Sequence, residues 1–101
     1  MSARYQVVYW RDIPAQIKVR SGSVRLARSL SPRFQEAIDE AAMLARATST
    51  DAYLEDWRAS EWKPCQEDPE RAADALIKDL ESAYPPDRLD ALKENKGFEK
   101  I

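Results

Sequence analysis

The chain has 101 residues, of which 44% are hydrophobic and 34% are charged, and its formal net charge is −2. This length suits a single domain spanning residues 1–101, and the share of apolar residues argues against disorder. The sequence contains no histidine, one cysteine and two glycines. The commonest general base, the commonest zinc ligand and the glycine-rich phosphate loops are therefore missing. We expect no catalytic residues, no metal ligands and no bound cofactor, which favours a non-enzymatic role.

No stretch of the sequence has the pattern of a signal peptide or the roughly 20 apolar residues of a membrane span. The lone Cys65 is also unusual for a small secreted domain, which would carry paired cysteines. We expect a cytoplasmic protein without a membrane partner. Because no histidine is present to activate it, Cys65 is predicted to be a structural thiol rather than a nucleophile.

The charges are divided unevenly along the chain. Residues 1–35 contain seven basic residues and one acidic residue, a net charge of +6, whereas residues 36–101 contain nine basic and seventeen acidic residues, a net charge of −8. Two interpretations are open. Either the basic third binds an anionic partner, or it pairs with the acidic remainder of the same chain.

The first third of the chain has the pattern of an antiparallel hairpin. Residues 5–10 are rich in β-branched and aromatic side chains and predict a strand. Residues 11–14, which include Pro14, predict a turn longer than two residues, and residues 16–20 alternate as a half-buried strand does. Residues 24–30 fit either a third strand or one helical turn, and the extended form is favoured.

The remaining two thirds predict mostly helices. Pro32 begins one after a capping Ser31, and that helix is expected to reach about residue 46. A capping signal at 48–51 predicts a short helix that includes Trp57, and residues 61–66 predict an edge strand.

The last part of the chain carries two more helix signals. Asp68 and Pro69 begin the most regularly periodic helix, which Pro85 ends, and a final helix starts at Pro86 and is capped near Gly97. We therefore expect an α+β fold in which three to four helices cover one face of a small antiparallel sheet of two to four strands. The expected core includes Val7, Tyr9, Ile17, Val19, Phe34, Ile38, Trp57, Leu76, Ile77 and Leu80.

Three segments carry a family resemblance: VVYWRDIPAQ at 7–16, LSPRFQEAIDEAAM at 30–43 and YLEDW at 53–57. They resemble the small bacterial "virulence factor" family and are similar to a segment of the longer conserved virulence factor C. The resemblance covers most of the chain and implies no assigned activity. Stand-alone members tend to be encoded near corrinoid and folate methyl-transfer genes, so it implies an accessory role in one-carbon metabolism.

The most distinctive segment comprises Trp10, Arg11, Asp12, Ile13 and Pro14. A tryptophan followed by a charged pair and a rigid proline turn predicts a preordered contact surface, since aromatic residues and arginine dominate interface energetics. The alternative is structural, with Trp10 in the core, Asp12 capping the turn and Arg11 solvated.

Lys18 and Arg20 share one face of the second predicted strand and extend this candidate surface with positive charge. We predict a protein-interaction domain whose contact surface combines residues 10–16 with these two cations and whose protein partner presents an acidic surface. One alternative is an accessory component of a corrinoid or folate methyl-transfer system. A second is weak nucleic-acid binding, which a sequence pI of about 5.2 and the lack of a known recognition motif disfavour.

Overall fold

The computed structural model describes residues 3–47 and 49–99 and confirms the α+β prediction. Its elements follow in the order β1 (Ala3–Trp10), β2 (Ile13–Ser21), β3 (Val24–Ser29), α1 (Pro32–Leu44), α2 (Thr50–Glu55), β4 (Trp57–Ala59), β5 (Lys63–Cys65), α3 (Pro69–Ala83) and α4 (Pro86–Glu94). The ambiguous stretch 24–30 is extended, as favoured, and forms β3.

The five strands form one antiparallel sheet in which β1 is central. One side of β1 pairs with β2, which in turn pairs with β3. The other side pairs with two short strands in succession, β5 opposite Ala3–Tyr5 and β4 opposite Val8–Trp10. The predicted edge strand at 61–66 is therefore β5, and β3 ends the sheet on the far side.

The turn between β1 and β2 is tighter than predicted, since only Arg11 and Asp12 separate the two strands. The expectation of a longer loop was wrong because Pro14 lies within β2. Pro14 pairs with Tyr9 next to a bulge, since Val8 pairs with Gln16 and leaves Ala15 as the extra residue. A proline is tolerated at a bulge, where a ladder hydrogen bond is already interrupted.

Trp57 also departs from its predicted element, because it begins β4 instead of continuing α2. It pairs with Trp10 of β1, and this long-range contact overrides the helical spacing of the sequence. Ser49 caps α2 by accepting a hydrogen bond from the backbone N–H of Ala52. Thr48, the first residue of the predicted capping signal, lies outside the described residues.

The helix starts at Pro32, Pro69 and Pro86 lie where the sequence predicts them. Asp68 caps α3 through its side chain, but Ser31 makes no capping bond to α1. The Ser31 hydroxyl and backbone N–H instead donate to the Glu81 carboxylate, at 2.9 and 2.7 Å. The N-terminus of α1 is therefore stabilised by a carboxylate from α3.

The core consists of two neighbouring clusters. Trp10, Ile13, Phe34, Ile38 and Leu92 belong to the cluster at the turn end of the sheet, between β1, β2, α1 and α4. The other cluster lies between the sheet and α3 and comprises Val7, Ile17, Val19, Ala72 and Ala73. Of the predicted core residues, a second group is only partly buried and packs against these clusters: Tyr9, Trp57, Leu76, Ile77 and Leu80.

Candidate interaction surface

The two faces of the sheet differ in what lies against them. Directly paired residues of antiparallel strands share a face. Tyr5, Val19 and Leu26 form one such row, and all three pack toward α3. The neighbouring rows point the other way, toward solvent.

We call the solvent side the open face and define it by Arg4, Gln6, Lys18, Arg20, Arg25, Ala27 and Trp62. Arg4, Arg20 and Arg25 form one row across three strands, and Gln6, Lys18 and Ala27 form the next. All of these residues except Arg4 line a shallow cavity of about 320 Å³. The strand periodicity that separates apolar from polar positions thus places four of the five basic residues of β1, β2 and β3 on one surface, whereas Arg28 lies on the α3 side.

Trp62 lies on this surface because Ser60, in the segment between β4 and β5, is hydrogen-bonded to β1. The backbone N–H of Val7 donates to the Ser60 hydroxyl at 2.9 Å, and the Gln6 amide donates to the Ser60 carbonyl at 3.0 Å. The guanidinium of Arg20 lies 4.3 Å from the centre of the Trp62 ring. This cation–π contact stabilises the middle arginine of the row between its two like-charged neighbours.

The basic residues of the first third divide into two groups. Arg11, Arg28 and Arg33 form ion pairs with carboxylates from the acidic part of the chain: Asp56, Asp74 and Glu81. Within residues 3–47 and 49–99, no carboxylate forms an ion pair with the four cations of the open face: Arg4, Lys18, Arg20 and Arg25. Internal pairing therefore explains three of the basic residues, and it does not account for the four cations of the open face.

The predicted contact segment 10–16 lies at the opposite end of β1 and β2 from the arginine row. The side chains of Trp10, Ile13 and Pro14 are buried, each with less than 2% of its surface exposed. The indole N–H of Trp10 donates to the carbonyl of Tyr53 at 2.9 Å. These three side chains pack in the core next to the turn and are not accessible to a partner. A contact role for the segment therefore stays a prediction that concerns Arg11 and Asp12.

Arg11 is held on several sides by groups of the same chain. Its side chain donates to the Asp56 carboxylate at 3.1 Å and to the Lys96 carbonyl at 2.7 Å. Its guanidinium also lies over the rings of Trp10 and Phe98, at 4.7 and 4.6 Å. Arg11 is therefore a largely buried structural arginine and not the solvated one that the alternative interpretation expects.

Asp12 is equally engaged. Its carboxylate accepts hydrogen bonds from the Arg58 guanidinium at 3.1 Å and from the backbone N–H of Glu99 at 2.8 Å. Its own N–H donates to the carbonyl of Gly97 at 2.8 Å. These bonds hold Arg11 at a φ of 53°, a left-handed conformation that is unfavourable for a residue with a side chain.

Most of the turn and the open face lies within a match to a known protein family. The sequence model of the family described as "Virulence factor" matches residues 8–92, which run from the second half of β1 into α4. The chain belongs to the virulence factor family. The match includes the turn and the open-face residues of β2 and β3 but not Arg4. Neither the curated proteins nor the solved structures contain a significant match.

Two further site residues of this virulence factor family member have roles that the sequence pattern did not reveal. Gly97 follows the end of α4 at a φ of 92°, near the predicted cap, and its backbone also packs on Trp10, so that an added Cβ would lie 2.9 Å from Cζ3 of that ring. Trp62 lies on the open face, where its ring contacts the Arg20 guanidinium. The one available signal for Trp62 was its position within the predicted edge strand.

Cys65 lies in β5 and packs against the cluster beneath α3. Burial raises the pKa of its thiol, which therefore stays protonated near neutral pH. No helix within the described ranges is long and apolar enough to cross a membrane. Among the same residues, no three histidine, cysteine, aspartate or glutamate side chains are grouped so that they could hold a metal ion.

Proposed function

We propose that this virulence factor family member is a non-enzymatic binding domain that uses its open face to bind an acidic surface of a partner protein. The observation that carries the proposal is the row formed by Arg4, Arg20 and Arg25 on directly paired positions of three strands. Like charges directly opposite one another on a sheet are destabilising, so this row costs stability in the free protein. An acidic partner relieves that repulsion and gains charge-assisted hydrogen bonds.

The accessibility of the row supports the same conclusion. Arg4, Arg20 and Arg25 are exposed, and so is Lys18 in the next row. Exposed, unpaired charge of one sign steers an oppositely charged protein toward its binding site. The open face therefore suits a contact that is fast to form and sensitive to salt.

A protein partner is favoured over a nucleic acid by the arrangement of the aromatic residues. Single-strand binders stack successive bases on exposed aromatic rings. Here Tyr5 and Tyr9 pack on the α3 side of the sheet, and one ring face of Trp62 is covered by Arg20. An accessory role in corrinoid or folate methyl transfer rests on the family resemblance alone.

The test compares two double variants that change the net charge equally. One is Lys18→Glu with Arg20→Glu on the open face, and the control is Arg71→Glu with Lys78→Glu on the exposed side of α3. The probe is a fluorescein-labelled short peptide of alternating glutamate and threonine, titrated at about 0.15 M salt, where distant charges are screened, and followed by fluorescence anisotropy. A single-stranded oligonucleotide of equal charge is titrated in parallel.

We expect the open-face variant to weaken peptide binding by about tenfold or more, because two charge-assisted contacts become repulsive. The control variant is expected to bind within about twofold of the unmodified protein, since its charges lie away from the site. Equal losses in both variants would show that net charge alone is responsible and would overturn the proposal. Tighter binding of the oligonucleotide than of the peptide would replace the protein partner with a nucleic acid.

A further inference from the structure

The strand β3 ends the sheet, and its outer edge has no paired strand among the described residues. Two observations fix which backbone groups face that edge. Only Gly22 and Ser23 separate β2 from β3, so Ser21 and Val24 form the hydrogen-bonded pair that closes the hairpin. At the other end, the N–H of Leu30 points back toward β2 and donates to the Ala15 carbonyl at 2.9 Å.

Hydrogen-bonded and non-hydrogen-bonded pairs alternate along an antiparallel ladder. Even-numbered residues from Val24 to Leu30 therefore direct their N–H and C=O groups toward β2. Arg25, Ala27 and Ser29 direct theirs outward, away from the sheet. The edge thus presents three consecutive sets of free donors and acceptors, which is what an added strand requires.

The side chains of these outward-bonding residues lie on the basic side of the sheet. Arg25 continues the arginine row, and Ala27 lies directly opposite Lys18. Because Ala27 has only a methyl group, it leaves the space above the edge open to the Lys18 ammonium. An acidic side chain on a strand placed beside Ala27 would project over the open face, between Arg25 and Lys18.

A second copy of this chain is a poor occupant of the same edge. In an antiparallel pair of two β3 strands, both open faces would lie on the same side of the joined sheet, so that the Arg25 and Lys18 cations of the two copies would share one surface. Like charges on neighbouring strands are destabilising, and basic residues on an edge strand are a known protection against self-association. An acidic strand has the complementary charge.

We propose that the β3 edge binds an extended acidic peptide segment of a partner protein as an additional strand. The backbone of Arg25, Ala27 and Ser29 provides the hydrogen bonds, and Arg25 and Lys18 receive the carboxylates. This inference rests on the proposed function, because it uses the same open face, and it adds the binding mode. Main-chain pairing supplies affinity in such complexes, while alternate side chains supply specificity.

The test removes one outward N–H and leaves every open-face charge in place. Ala27→Pro deletes a donor that makes no bond to β2, and proline is tolerated on edge strands. The matched control is Ala27→Ser, which keeps the N–H. With the glutamate–threonine peptide, we expect Ala27→Pro to bind about tenfold more weakly than Ala27→Ser, while thermal unfolding and circular dichroism verify that both variants are folded.

Amide hydrogen exchange provides a second measurement on the unmodified protein. Saturating peptide is expected to slow the exchange of the Arg25, Ala27 and Ser29 amides, because each becomes hydrogen-bonded in the added strand. The same peptide with N-methylated backbone amides keeps its charge and is expected to give no such protection.

The outcomes separate this inference from the proposed function. If Ala27→Pro binds as tightly as Ala27→Ser while Lys18→Glu with Arg20→Glu loses binding, the added strand is wrong and the acidic-partner proposal stands. If neither Ala27→Pro nor Lys18→Glu with Arg20→Glu weakens peptide binding, both proposals are overturned. Dimerisation that Ala27→Pro abolishes would identify a second copy as the occupant and would also overturn the added acidic strand.

Discussion

The β1–β2 turn and the open face both carry basic residues, and the two regions differ in how those residues are paired. In the turn, Arg11 and Asp12 have every charged group bonded to another part of the chain. On the open face, less than ten residues away along β2, Lys18 and Arg20 have no such partner within the described residues. Arginine content alone therefore does not identify a binding surface, because only unpaired charge is available to a partner.

The difference arises from which distant segments reach each site. The partners of the turn include Asp56, Arg58, Lys96 and Glu99, which are separated from it in sequence by 45 to 87 residues. The acidic part of the chain thus surrounds the turn end of the sheet and, as far as the described residues go, leaves the arginine row uncovered. The comparison predicts that substitutions at the turn lower stability, whereas substitutions on the open face lower binding.

The largest expected effect is that of Trp10→Ala. Trp10 is completely buried and stacks against Tyr53 at a centroid distance of 6.0 Å, and the backbone of Gly97 packs against its ring. We expect a loss of about 3–5 kcal/mol in the free energy of unfolding, measured by urea denaturation, because the change leaves a large cavity. Trp62→Ala is the control on the open face and should cost less than half as much, and equal losses would contradict the division between the two regions.

A matched pair of arginines gives an intermediate effect. Arg11→Ala removes two hydrogen bonds and two ring contacts from a side chain that is 15% exposed, and it leaves Asp56 without its cation. We expect a loss of about 1–3 kcal/mol in unfolding free energy.

Arg25→Ala, in the exposed row, is the comparison variant for Arg11→Ala. We expect it to change stability by no more than about 0.5 kcal/mol, and relief of repulsion favours a small gain. Urea unfolding of both variants at one ionic strength measures the difference. The distinction between paired and unpaired arginines would be wrong if Arg25→Ala proved as destabilising as Arg11→Ala.

The smallest effect concerns the pairing of α1 with α3 through Glu81, and it depends on pH. Burial raises the pKa of this carboxyl group, but hydrogen bonds from Ser31 and Arg33 outweigh burial and bring its pKa below the ordinary value of 4.5. Since the pKa is lower in the folded chain than in the unfolded one, the stabilisation is present above about pH 4.5 and is lost as the pH falls through the folded value.

Glu81→Gln is therefore expected to lose about 1 kcal/mol at pH 7. The loss should shrink in urea titrations carried out below pH 4.5, because the unmodified protein also loses its carboxylate there. The control is Asp79→Asn at an exposed position of the same helix, which should lose no more than about 0.5 kcal/mol at pH 7. A loss that stays constant from neutral to acidic pH would show that the Glu81 charge does not connect the two helices.

Much of the fold was predictable because the relevant signals are local. The three proline helix starts, the alternation along β2 and the cap at Asp68 each depend on a few neighbouring residues. The length of the turn was mispredicted because a bulge keeps Pro14 within β2. The secondary structure of Trp57 was mispredicted because Trp57 pairs with Trp10. Those features depend on a strand from another part of the chain.

The candidate surface was predictable only in part. Lys18 and Arg20 share a strand face whatever the tertiary structure, because side chains alternate along a strand. The sequence by itself thus determined the α+β class, the family and the basic character of the N-terminal strands. Only the tertiary structure decided that Trp10 lies inside, that Arg11 is paired and that no carboxylate within residues 3–47 and 49–99 forms an ion pair with the arginine row. Charge pairing joins residues far apart in sequence, and no local pattern of propensity or periodicity encodes which of them meet.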